Sequence, residues 1–451
     1  MDATINPISE KILVQARKSI AGGANSSMRV LKYHLPTVIQ KAEGVYIWDA
    51  DGHKLIDMNM GYGPLIFGHR SPIIINAIEN ELKLRGTTLG FPHELSHQAA
   101  ELIKKSFPSI NKLRFSSTGT ESVQTAIRLA RQFTGRKHIV LFEGHYHGSS
   151  DSVFHAYHAP VDEIERRNYI PLPGTKGMGG APYNAYVLPW NDAELLQSFL
   201  YNHSEEIAAV IMEPVMGNAG TIPPVPGFLE AARKLTTEIG ALLVFDEIIT
   251  GFRVARGGAQ ERYGVQSDIT LLSKAMNGGV PTAAIGAREE VADLIAHREV
   301  FHGGVYSGNP MCIAATLAAQ QEYEKNHTEI YTGLENASTN LALGIRKIFY
   351  DLEIPVSVQH VGAMLNFWFL TDYDEDGGFK NYREVYRGTN HDTFVKFQHI
   401  LQQNGVYVHP NHYEPWFIST AHNEAVIGDV LDRIQVSAKT LKKKIQVPAQ
   451  P

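Results

Sequence analysis

"ALLVFDEII", residues 241–249, carries an apolar run straight into two adjacent carboxylates, Asp246 and Glu247. Such a run reads as a strand buried on both faces, the pattern of a parallel sheet. A carboxylate in that position costs several kcal/mol unless a cation meets it. Three more apolar runs lead into a charged residue, Glu143, Glu213 and Lys274: "HIVLFEG" (138–144), "AAVIMEPV" (208–215) and "ITLLSK" (269–274). From about residue 72 these runs alternate with amphipathic helical stretches, which predicts an α/β fold with a largely parallel sheet and helices on both faces.

Before that region, "GVYIWDADGHKLIDM" alternates apolar and polar residues about an Asp-Gly turn and reads as a hairpin. A short helix over about 8–20 is expected to stop at Gly22 and Gly23. "LPGTKGMGGAP", 172–182, is too rich in Gly and Pro for regular structure and reads as a lid or active-site loop. After about residue 330 the pattern becomes helix, strands and helix, with "TDYDEDGGFKNY" as a surface excursion. The expected division is a large domain over 72–329, and a smaller α+β domain built from 1–71 and 330–451.

Composition narrows the function. The chain has 451 residues, 43% apolar content and a formal net charge of -6, enough for a sizeable core and ordinary for a soluble protein. No run of eighteen apolar residues and no apolar leader core occur, so neither a membrane span nor secretion is expected. One cysteine, Cys312, precludes an internal disulfide and suits a cytoplasmic setting. The basic cluster "KTLKKKI" reads as a solvated helix end, so nucleic acid is not an expected partner.

Ligands of open parallel sheets sit at the carboxyl ends of the strands, where this sequence has Glu143, Glu213, Asp246 and Lys274. Asp246 and Lys274 are one strand-helix-strand crossover apart. They could simply pair with each other. The sharper reading is that Lys274 holds an aldehyde as a Schiff base while Asp246 faces a protonated ring nitrogen, as pyridoxal phosphate requires. "SSTGTES", 116–122, opens a helix and offers free N–H groups and hydroxyls to a phosphate, although Ser and Thr there also serve as plain caps. In "FEGHYHG", Tyr146 can stack on a ring or merely pack. His145 and His147 lack a third ligand, so no metal is expected.

These motifs, with "EPVMGNAG", "FDEIITGFRVARGGAQ", "SKAMNGG" and "YSGNP", resemble the class III aminotransferases, most closely the glutamate-1-semialdehyde 2,1-aminomutase-like subgroup. The likeness runs from about Asn25 to His422. It implies pyridoxal-phosphate fold type I, with a mainly parallel seven-stranded sheet, and a homodimer with active sites at the interface. It also implies Lys274 as the Schiff-base lysine, Asp246 as the ring-nitrogen partner, Ile248 and Tyr146 on the two ring faces, and Thr118, Gly119 and Thr120 at the phosphate. Glu213 and Asn218 would bond around the ring. Arg29 would bind a substrate carboxylate and Glu414 would sort substrate orientation.

Two positions depart from the pattern. Val305 stands where a partner-subunit threonine usually reaches the phosphate, leaving only a backbone N–H. Tyr62 stands where the aminomutase has tryptophan and, with the bulky Trp416 near Glu414, favours another substrate. The expected activity is therefore ping-pong transfer of an amino group from a small amino donor to a carbonyl acceptor. Intramolecular aminomutase chemistry is the alternative, and a racemase or epimerase a further one. A catalytically dead homologue would have to retain the lysine, aspartate and tyrosine together, and a nicotinamide enzyme lacks its glycine fingerprint here.

Overall fold

Seven short segments form the central sheet of the computed structural model, which describes residues 6–88, 90–179, 184–371 and 378–446. In chain order they are β1 (Lys112–Ser116), β2 (His138–Phe142), β3 (Ala185–Leu188), β4 (Ile207–Met212), β5 (Leu242–Asp246), β6 (Ile269–Leu272) and β7 (Ala283–Ala287). Across the sheet the order is β1-β7-β6-β5-β4-β2-β3. The strands from β6 to β3 pair in parallel, while β7 runs antiparallel to both β6 and β1.

Every residue of β4 and β5 is buried, because helices cover both faces of the sheet. The helix Gly119–Thr134 buries Val123, Ala126, Ile127 and Ala130, and Phe228–Ile239 buries Phe228, Ala232 and Leu235. Since β2, β4, β5 and β6 share one direction, Glu143, Glu213, Asp246 and Lys274 all come to the same edge.

Both chain ends meet in a second sheet of four strands, Ile39–Glu43, Tyr46–Asp49, Lys54–Asp57 and Val406–Tyr407. The hairpin sets Tyr46 opposite Ile56, and Val406 pairs in parallel with that same Ile56. A third sheet joins Val356–Val361, Met364–Phe369 and Trp416–Phe417. The first helix spans Pro7–Ala16, shorter than expected, and a 3-10 turn at Ala21–Gly23 follows it. The boundary drawn at 329/330 falls inside a 42-residue helix, Pro310–Asp351, whose one non-helical residue is Asn326 (φ −123°, ψ 23°).

Of the loop at 172–182, residues 180–182 lie outside the described residues. Its first part is anchored, with Gly174 N donating to the Phe154 carbonyl at 2.8 Å and Gly179 N to Asp151 Oδ2 at 2.9 Å. Residues 372–377 of the acidic excursion also lie outside them. Among the described residues, no helix is long and apolar enough to cross a membrane, and no cluster of His, Cys, Asp and Glu could hold a metal ion.

Candidate active site

The two carboxylates at the end of β5 have different partners. Glu247 turns away from the sheet edge and caps another segment, accepting from Thr250 Oγ1 at 2.5 Å, Ala259 N at 2.8 Å and Gln260 N at 3.0 Å. It is fully buried, and burial pushes its pKa up to about 7 against those hydrogen bonds. Asp246 stays at the edge. Its Oδ1 accepts from Ile248 N at 3.2 Å, and its Oδ2 lies 2.7 Å from His147 Nδ1. His147, weighed in the sequence only as a metal ligand, thus orients Asp246.

Lys274 does not pair with Asp246, and no ion pair to Lys274 occurs among the described residues. It follows β6 in the left-handed region, φ 45°, at the head of the 3-10 turn Lys274–Met276. Such strain persists only where neighbours hold it. Here Tyr323 Oη donates to the Ala275 carbonyl at 2.7 Å and Gln320 Nε2 to that of Met276 at 2.9 Å. Burial lowers the pKa of the Lys274 amine, while the charges of Glu414, Glu213 and Asp246 raise it. The charges of three carboxylates thus act on one buried amine.

Glu213 is buried and heavily bonded. Its Oε1 accepts from Tyr146 N at 2.7 Å and Asn218 Nδ2 at 3.0 Å, and its Oε2 from Gly217 N at 2.7 Å. Burial raises its pKa. Glu213, Asn218 and Tyr146 are thus joined, and the Asn218 carbonyl in turn accepts from His158 Nε2 at 2.6 Å.

The anion cradle is the N-terminus of the helix Gly119–Thr134. Thr118 is its N-cap, accepting from Glu121 N at 3.3 Å, while Glu121 Oε2 takes the N–H groups of Ser117 at 2.8 Å and Thr118 at 3.1 Å. This capping box was legible as Thr-x-x-Glu. It leaves the N–H groups of Gly119 and Thr120, which have no helical partner, for a ligand. Close contacts fit this loop to the rest of the site. A Cβ on Gly119 would lie 2.5 Å from Ile248 Cδ1, and one on Gly148 (φ +94°) 2.4 Å from Thr120 Oγ1. Val305 lies on the surface, 77% exposed, beside Tyr306.

At the substrate end, Tyr62 (φ 67°) donates its hydroxyl to the Met28 carbonyl at 3.2 Å. Burial and the charge of Glu414 raise its pKa, and the charge of exposed Arg29 lowers it. Glu414 is buried, and burial pushes its pKa up to about 7 against the pull of Lys274. Trp416 is a correction. Its strand pairs with Leu365, and its indole, buried against Phe367 at 5.4 Å between centroids, belongs to the hydrophobic core. It does not narrow a substrate pocket.

Tyr157 was missed in the sequence. Its ring lies 5.2 Å from that of Tyr146, and its hydroxyl feels Glu414, Tyr146, Glu213 and Tyr62. The aromatic pairing in "FHAYHAP" within a polar stretch was the available signal. Arg383 was also missed. It grips buried Glu143 through two bonds, Nε to Oε2 at 2.8 Å and Nη2 to Oε1 at 2.7 Å.

A mainly parallel sheet with a lysine, an oriented aspartate and a helix N-terminus on one edge defines the fold-type-I architecture of pyridoxal-phosphate enzymes. The chain belongs to the class III aminotransferase family, whose profile matches residues 28–434. It is 38% identical to a glutamate-1-semialdehyde 2,1-aminomutase of Flavobacterium johnsoniae over 436 residues, covering 96% of this chain and 99% of that protein. Identity to the same-named protein of Aquifex aeolicus is 37%, over 96% of this chain and 99% of that one. An omega-transaminase structure from Sphaerobacter thermophilus superposes with a TM-score of 0.89 at 27% identity, covering 96% of this chain and 98% of that one.

Proposed function

We propose that this chain binds pyridoxal phosphate and moves an amino group within one substrate molecule, as an aminomutase. The observation that carries the cofactor reading is the buried Lys274 amine at the end of β6, without an ion pair among the described residues and under the charges of Glu213, Asp246 and Glu414. The residues present fit the cofactor's groups. The free N–H groups of Gly119 and Thr120 suit its phosphate, buried Asp246 suits a protonated ring nitrogen, and Ile248 and Tyr146 suit the two ring faces.

When bound, pyridoxal phosphate supplies an electron sink for charge that develops on the substrate carbon. Asp246, oriented by His147, holds the proton on the ring nitrogen. Lys274 Nζ anchors the cofactor and carries a proton to and from the substrate carbon, a task suited to an amine whose pKa burial lowers. Glu213 and Asn218 fix the backbone of Tyr146. Arg29 receives a substrate carboxylate and Glu414 an amine or hydroxyl.

The names of the relatives support the intramolecular reaction over the intermolecular one expected from the sequence. The intermolecular case rested on Tyr62, Glu414 and Trp416, and the burial of Trp416 removes one of its supports. Tyr62 still favours that second reading.

Assembly as a homodimer is part of the proposal. Phe91, Phe301, Val305 and Tyr306 are 77%, 80%, 77% and 65% exposed, and apolar groups so exposed call for a cover. Their segments adjoin, since His93 Nε2 lies 2.8 Å from the Gly308 carbonyl.

The test is incubation with glutamate-1-semialdehyde as sole substrate. Formation of 5-aminolevulinate without added donor or acceptor is expected. Turnover that needs two partners, with separable half-reactions, would establish the intermolecular reading instead.

A further inference from the structure

From Met28 to Thr37 the chain contains no strand, and its backbone bonds are local: Val30 N donates to the Ser27 carbonyl at 3.3 Å and His34 N to that of Leu31 at 2.9 Å. Side-chain donors from the C-terminal part of the molecule tie it down instead. His399 Nε2 reaches the Tyr33 carbonyl at 2.7 Å, and Gln402 Nε2 the Thr37 hydroxyl at 2.8 Å. Beside Arg29, one carbonyl takes two donors. The Met28 oxygen accepts from His409 Nε2 at 2.9 Å and from Tyr62 Oη at 3.2 Å, and the rings of those two residues lie 5.4 Å apart.

Both donors are held in place. His409 is buried, and its other nitrogen, Nδ1, accepts from Asn411 N at 3.1 Å, which leaves the ring proton on Nε2. Burial lowers its pKa to about 4, so the ring stays in this neutral form. Tyr62 is third in a run of four left-handed residues, Met60, Gly61, Tyr62 and Gly63, at φ 45°, 67°, 67° and 101°. Asp57 Oδ1 fixes the start of the run, accepting from Asn59 N at 2.8 Å and Met60 N at 3.2 Å, and buried Arg253 donates to the Gly63 carbonyl at its end. Backbone strain of this kind persists only where neighbours enforce it.

His409 also closes the turn that carries Glu414. Asn411, whose N–H it accepts, takes Tyr413 N on its Oδ1 at 3.2 Å and Glu414 N on its carbonyl at 3.1 Å. One imidazole therefore links the turn of Glu414 to the 3-10 turn Ser27–Arg29. Arg29 itself is exposed and enters no ion pair among the described residues.

We propose that His409 is a positioning residue which, through the Met28 carbonyl it shares with Tyr62, holds Arg29 in register with the Glu414 turn and so sets the site's preference for amino compounds that end in a carboxylate. This rests on the reading of Arg29 as the receiver of a substrate carboxylate. A guanidinium recognises a carboxylate through a fork of fixed geometry, so the turn that bears it has to be fixed as well.

The test is rapid mixing of the holoenzyme with 4-aminobutanoate, whose amine and carboxylate are spaced as in glutamate-1-semialdehyde, and with its isostere 4-methylpentan-1-amine, which ends in an uncharged branch. Each affinity is read from the cofactor's absorbance. Wild type is expected to prefer the carboxylate by at least about tenfold, the scale of a charge-assisted hydrogen bond. His409→Leu should lose most of that preference, with the fall confined to 4-aminobutanoate. His409→Gln, which can still donate to the Met28 carbonyl, should recover part of it, and Tyr62→Phe, which removes only a hydroxyl, should lose a smaller part. An undiminished preference in His409→Leu overturns the proposal, and so does an equal fall for both probes. Should His409→Leu not fold, an undiminished preference in Tyr62→Phe does the same. Arg29→Gln separates the two readings: a preference that survives there removes the arginine as carboxylate receiver, whereas one lost there but kept in His409→Leu removes only the positioning role.

Discussion

His147 Nδ1 lies 2.7 Å from Asp246 Oδ2, and both side chains are buried. The histidine fixes the carboxylate that is to meet the cofactor's ring nitrogen. His147→Ala is expected to lower kcat about 10- to 100-fold, the scale of one hydrogen bond to a buried charge. Its effect on KM should be small. Steady-state kinetics check this, and His147→Asn, which can still donate, should recover part of the loss.

Gly119 faces Ile248 so closely that an added Cβ would lie 2.5 Å from Ile248 Cδ1. Gly119→Ala should therefore push Ile248 out of place and weaken cofactor retention, measured by equilibrium dialysis of pyridoxal phosphate. Gly119→Ala with Ile248→Ala should restore part of the affinity. Additive losses in the double variant would show that the two residues do not share this space.

Glu247 gives a pH signature. Its pKa in the folded chain, pushed up to about 7, exceeds the ordinary carboxylate value of 4.5, so the folded chain holds the proton more tightly. That contribution is fully present below about pH 4.5 and is lost as pH rises through 7. It amounts to about 2 kcal/mol between pH 5.5 and 8. Glu247→Gln, which cannot titrate, should be less stable overall but lose about 2 kcal/mol less over that range in denaturant unfolding. Parallel pH profiles for both proteins would contradict it.

Arg383 is the only cation bonded to buried Glu143 among the described residues. Arg383→Ala leaves that charge uncompensated and should destabilise the chain by about 3 kcal/mol in urea unfolding. Glu143→Gln with Arg383→Met should be much less damaging.

The parallel part of the sheet was legible, because strands buried on both faces leave unbroken apolar runs such as "LLVFD" and "IAAVIM", whereas its count of seven strands came from the family resemblance. The edge residues Glu143, Glu213, Asp246 and Lys274 followed from the rule that parallel strands present their ends together. What pairs with what was not legible. Side-chain partners such as His147–Asp246 and Arg383–Glu143 are 99 and 240 residues apart in sequence. Trp416 was misread for the same reason. Its nearness to Glu414 in sequence says nothing about direction, and the pairing of its strand with Leu365 turns the indole into the core. Tyr157 lay in a stretch with no periodicity to mark it. The domain boundary was drawn inside a helix because Pro310–Asp351 is continuous in pattern across it.

The central claim is that Lys274 is the residue that holds pyridoxal phosphate. Borohydride reduction of the cofactor-loaded protein, followed by peptide mass mapping, tests it directly. The reduced pyridoxyl adduct is expected on Lys274, and Lys274→Ala should give none. An adduct on another lysine, or no adduct on the wild-type protein, would contradict the claim.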